Sequence, residues 1–153
     1  KIASGAVLTS KIANGAVTTA KLAGGVVAVQ ATIGNSLGLP TTATNLGSVT
    51  VTAATSGKVL LSFSGTAITF GDATLAQLGI GTTAGTFDLV QQSAGVLDGI
   101  GTQRREFPFN CTALVVVAAG TRSFFATGLK PSVFSAQAIN LVDLRITALF
   151  IPD

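Results

Sequence analysis

The side chains able to do chemistry in this chain are few and scattered. There are six carboxylates, nine cations, one thiol and no imidazole among 153 residues. Without His, and with Cys111 the sole Cys, zinc, copper and iron sites of the usual kind lack ligands. His-based acid–base and triad chemistry is excluded on the same ground. The carboxylates Asp72, Asp88, Asp98, Glu106, Asp143 and Asp153 include no pair with the character of a general acid and base. Gly79-Ile80-Gly81 lacks the later glycine and the following helix of a nucleotide loop. Gly71-Asp72 and Leu97-Asp98-Gly99 offer too few oxygen ligands for calcium. The expectation is a protein that is not an enzyme and takes no metal or cofactor.

The cations do not make a nucleic-acid surface either. Lys1, Lys11 and Lys21 lie in the first 21 residues, which carry no acid. From residue 22 onward, Lys58, Arg104, Arg105, Arg122, Lys130 and Arg145 balance the six acids. Only Arg104-Arg105 forms a cluster, and Glu106 stands beside it. A polyanion needs a concentrated basic footprint, so no nucleic acid is expected as a partner. Cys111, just before the run Ala113–Ala119, reads as a small buried hydrophobe.

What remains is apolar and neutral. Apolar types make up 48% of the chain and mean hydropathy is +0.65, with 10% charged residues against about 25% in an ordinary soluble domain. No apolar run approaches the ~20 residues of a membrane helix, so no membrane insertion is expected. The excess apolar surface is expected to be covered by subunit contacts. Starting at Lys1 without a recognisable leader, the chain reads as a mature form or as the C-terminal part of a longer protein.

The first 30 residues repeat with a period of ten: KIASGAVLTS, KIANGAVTTA, KLAGGVVAVQ. Each unit offers two large apolar residues five apart, with a Gly between them that suits a turn or a close backbone approach. A ten-residue period matches neither a heptad nor strict alternation. One such arm cannot offset an ordering cost of about 1–2 kcal/mol per residue. It is expected to order by winding with identical arms or by docking on a neighbour, through Ile2, Val7, Ile12, Val17, Leu22, Val27 and Val29.

The rest reads as β-structure. Residues 1–34 form the arm, 35–40 a linker around Gly38 and Pro40, and 41–153 a β-domain. Val27 to Ile33 alternates as a strand at the end of the arm. Val49 and Val51 share a face, as do Val59, Leu61 and Phe63, with a bulge or kink expected near Gly65. Further strands are expected at 78–82, 86–91, 107–111, 114–118 and 121–127, and 95–105 reads as a surface loop. Asp72 to Leu78 is the one helical candidate, with Asp72 as its N-cap. In the last strand Val142, Leu144, Ile146, Ala148 and Phe150 face inward. Leu149 and Ile151 make both faces apolar there, which suits a subunit interface. Eight to ten short strands with Gly-rich turns give an all-β fold: a jelly-roll β-sandwich with an extended N-terminal repeat arm.

Lys11-Ile-Ala-Asn-Gly-Ala-Val-Thr-Thr-Ala20 resembles the repeats of phage tail fibres and related surface fibres. The segments Ser56–Leu61, Ala119–Phe125 and Leu144–Pro152 are similar to those of the trimeric C1q/TNF-like jelly-roll heads. The resemblance implies a homotrimer with C-terminal strands near the threefold axis and distal loops, here around 95–105 and 128–132, contacting a ligand. The expected function is a structural fibre or spike component of a virion, of tail-fibre, head-fibre or decoration type, with the head serving host attachment. Its partners are then copies of itself and a host-surface receptor, and its place is the virion or an extracellular surface. The alternative is a subunit of an extracellular filament or pilus, assembled by N-terminal strand donation to a neighbouring subunit. A carbohydrate-binding sandwich is disfavoured, because the chain has no Trp or Tyr on which sugars could stack.

Overall fold

The computed structural model describes residues 27–70, 74–96, 104–131 and 138–153. Eight antiparallel strands follow in order: β1 Val27–Leu37, β2 Thr44–Ala53, β3 Gly57–Phe70, β4 Thr74–Gly81, β5 Val90–Val96, β6 Arg104–Val117, β7 Gly120–Leu129 and β8 Ile139–Pro152. They build two four-stranded sheets, β1-β8-β3-β6 and β2-β7-β4-β5. Successive strands mostly cross between sheets, and first and last lie side by side. That order is the double Greek key of a jelly roll. Among the described residues there is no helix, so none is long and apolar enough to cross a membrane.

The core lies between the sheets, where alternate residues of each strand meet. Val59, Leu61 and Phe63 of β3 and Ile146, Ala148 and Phe150 of β8 face Val49 and Val51 of β2, Leu78 and Ile80 of β4, and Phe124 and Ala126 of β7. All are buried in one cluster. Phe63 and Phe109 meet edge to face, with ring centroids 5.1 Å apart, an arrangement favoured by the ring quadrupoles.

Several expectations are corrected. The helix expected over 72–78 is instead the strand Thr74–Gly81, since Ala76, Leu78 and Ile80 alternate into the core; residues 71–73 lie outside the description. The strand expected at 86–91 begins at Val90, because 82–89 forms a loop over β4. The two strands expected at 107–118 are one, β6. Its Pro108 is tolerated because β6 is an edge strand.

The segment expected as a linker is partly strand. β1 runs on to Leu37 through two register shifts, and Leu39 is buried in the core. The bulge or kink expected near Gly65 is a bulge there, with its extra residue in the strand opposite. Ser64 pairs with Arg145 and Thr66 with Val142, so β8 carries one residue too many, and Asp143 takes up the slack at φ 55°. An Asp tolerates that left-handed conformation better than most residues. The bulge inverts the phase of β8. Leu141 and Leu144 both point inward while Val142 is half-buried. Gly65 makes room for it, since a Cβ there would stand 2.6 Å from Leu144 Cδ2.

Candidate functional site

The carboxylate and thiol with the most distinctive surroundings, Asp88 and Cys111, are engaged by neighbouring groups. Asp88 accepts hydrogen bonds from Thr82 Oγ1 at 2.6 Å, from Thr86 Oγ1 at 2.5 Å and from the Thr82 backbone N–H at 3.0 Å. These hold its carboxyl down at about 2, the hydroxyls of Thr82 and Thr86 contributing most. The result is a stapled loop with its carboxylate already committed. Cys111 is buried, with Sγ 3.5 Å from the Leu78 carbonyl, and burial pushes its thiol up to about 11. Such a thiol is a poor nucleophile. Arg104 and Glu106 form an exposed ion pair at 2.5 Å, worth little in water. Among the described residues no group of three His, Cys, Asp or Glu side chains gathers where a metal could sit.

The unusual surface is the outer face of the β1-β8-β3-β6 sheet. An antiparallel sheet normally turns polar residues to water. Here Leu60, Leu114, Val116 and Ile151 are 39%, 62%, 75% and 42% exposed. Strand register places them in adjoining cross-strand rows. Ala28 pairs with Leu149, Leu149 with Leu60, and Leu60 with Leu114, giving one row across all four strands. Lys58 pairs with Ile151 on one side and Val116 on the other, giving the next. The following row is Gln30, Thr147, Ser62 and Thr112, and there the face turns polar.

The residues expected at an interface therefore divide. Leu149 and Ile151 do lie on this outer face. Val27 and Val29 are half-buried and pack against the core from the inner side of β1; alternation along a single strand does not reveal which of its faces the second sheet covers. Ile2, Val7, Ile12, Val17 and Leu22 lie outside the described residues. Leu60, Leu114 and Val116 join Leu149 and Ile151 on the outer face. They carry the same signal that marked Leu149 and Ile151, an apolar residue on both sides of a strand, in Val59-Leu60-Leu61 and Leu114-Val115-Val116. Of the loops expected to contact a ligand, 97–103 and residue 132 lie outside the description, while 95–96 end β5, 104–105 open β6 and 128–129 end β7.

No family model and no curated protein matches the chain. Among solved structures, it is similar to the VP2 subviral particle protein of infectious bursal disease virus, at 13% identity and a TM-score of 0.42, over 81% of this chain and 32% of that one. It is also similar to Eiger TNF from S. frugiperda, at 12% identity and a TM-score of 0.45, over 84% of this chain and 94% of that one. The chain spans about a third of the length of the bursal disease virus proteins it matches. The jelly-roll assignment itself rests on the strand order of this chain.

Proposed function

We propose that the chain is a structural, homotrimeric fibre or spike component of a virion, a repeat shaft carrying a jelly-roll head for attachment to a host surface. It acts without catalysis, metal or cofactor. The observation that carries this reading is the continuity of arm and head. The third repeat, Lys21 to Gln30, passes directly into β1 at Val27, and β1 is an outer strand bonded to β8 from Val27–Phe150 to Leu37–Asn140. On this reading, association through the repeats tethers the heads to one another. The likeness of residues 11–20 to phage and surface-fibre repeats supports the virion assignment. Threefold display of weak head contacts then raises avidity without any single strong site.

The test is the mass of the full chain in solution, beside that of a variant lacking residues 1–26. The cut belongs before Val27, because removing β1 would strip a strand from the sheet. A mass of three 15.2 kDa chains is expected for the full chain. A monomer at micromolar concentration would sink the proposal.

The filament reading has one observation in its favour. The free edge of β6 is guarded by Arg104, Arg105, Glu106 and Pro108, whereas β1 from Val27 to Leu37 has neither charge nor proline. Guarded edges resist strand addition and plain ones invite it. Open polymers that fall to monomers without residues 1–26 would favour strand donation over the trimer.

A further inference from the structure

The sandwich is open at one corner, where β4 stops short. β4 pairs with β7 only from Gln77–Leu129 to Gly81–Phe125, whereas β2 accompanies β7 as far as Gly120. The chain leaves the sheet at Thr82, whose backbone N–H and hydroxyl both donate to Asp88. A turn closed by the Thr86 N–H on the Thr83 carbonyl then leads it back. Among the described residues, no strand covers that side of β7 over 120–124. Every second residue of a strand turns its N–H and C=O towards such an edge.

Beside this edge lies a cleft of about 390 Å³, within the usual range of about 300–1,000 Å³ for a ligand site. Val115 and Val117 of β6 line it from one sheet and Phe124 and Arg122 of β7 from the other, with Thr82 where β4 stops. Arg122 pairs in register with Val51, which is buried in the core, so it holds a core-facing position. It is nevertheless exposed, because the missing length of β4 leaves the corner uncovered. Among the described residues no acid pairs with it. An inward cation over an apolar floor, without a counter-charge, suits an incoming carboxylate.

We propose that this corner binds an extended peptide of a partner polypeptide, which takes the place β4 vacates along β7 and sets an acidic side chain against Arg122. Main-chain hydrogen bonds to the β7 edge supply affinity, and inward side chains supply selectivity. Register names the pattern. The residue opposite Arg122 points inward and is acidic. The next inward residue stands two positions on, opposite Gly120, where no atom lies within 4 Å of an added Cβ; it is apolar and covers Val117. The N-terminal arm of a second copy does not suit, since residues 1–30 contain no Asp or Glu. The inference stands apart from how copies of this chain assemble.

The test is fluorescence anisotropy and amide hydrogen exchange on the full chain, with the capped pentapeptide Thr-Asp-Thr-Val-Thr and its counterpart carrying Lys for Asp. The acidic peptide should bind saturably and slow exchange within 121–124. The Lys peptide should bind at least about tenfold more weakly, the worth of one charge-assisted contact. Arg122→Glu should invert that order and Arg122→Gln should abolish it. Arg122 is exposed, so both variants keep the wild-type circular dichroism, and the peptide swap needs no variant at all. Equal binding of the two peptides, binding without slowed exchange at 121–124, or no binding at millimolar peptide overturns the proposal. Slowed exchange there that depends on protein concentration alone puts a second copy in the cleft, and overturns it too. None of these outcomes bears on the mass measurement that tests the fibre reading.

Discussion

Phe87 of the β4–β5 loop packs straight onto the backbone of Gly79 in β4. A Cβ at residue 79 would stand 2.8 Å from the Phe87 ring and would collide with the Val90 carbonyl. The loop can lie on the sheet only because that position has no side chain. Gly79→Ala forces it away, with an expected cost of about 1–3 kcal/mol from overpacking. Chemical denaturation would show it, with Gly38→Ala, where no atom lies within 4 Å of the added Cβ, separating steric cost from the strain of a positive φ.

Truncating the centre of the core should cost more. Phe63 is fully buried and meets Phe109 edge to face. Phe63→Ala removes that contact and leaves a cavity, at about 3–5 kcal/mol. The same truncation at exposed Leu114 should cost the fold well under 1 kcal/mol.

Asp88 sets an acid limb. Its carboxyl is held at about 2 against an ordinary 3.8, chiefly by the Thr82 and Thr86 hydroxyls. A depressed acid contributes stability that is complete above its unfolded value and is lost as pH falls from about 4 towards 2. The exposed position screens the effect, so it should be small. Thr86→Ala should raise the Asp88 value measured by carboxyl NMR titration, and an unchanged value would contradict the hydrogen-bond origin.

Cys111 should resist alkylation in the folded protein at pH 8, since burial holds its thiol at about 11. Modification should track unfolding in a denaturant series. The raised value also means that the thiol favours the folded state below about 9, and that this preference fades as pH climbs towards 11. Rapid labelling of native protein would contradict the burial.

Thr127 is completely buried, and its hydroxyl finds no partner among the described residues. An unmet buried hydroxyl is a net cost. Thr127→Val keeps the shape and removes that cost, so it should stabilise by about 1 kcal/mol, read as a higher melting temperature. Loss of stability would show that the hydroxyl is satisfied after all.

The sequence by itself determined the fold class and the strands of strictest alternation. Ser48-Val49-Thr50-Val51-Thr52 reads as a strand, because its period of two sorts buried from exposed side chains without reference to any other part of the chain. What it could not settle were relations between strands. Asp72–Leu78 read as a helix because a short apolar run is ambiguous in period until a second sheet covers Leu78 and Ile80. The phase of β8 flips at Asp143 because neighbouring strands leave an extra residue there, which no local pattern announces. Above all, Leu149 and Ile151 were legible as doubly apolar, but only register across four strands joined them to Ala28, Leu60, Leu114 and Val116. Burial along a strand is a local property; a surface is made by pairing, and pairing joins residues as distant in the chain as Leu60 and Leu114 or Ala28 and Leu149.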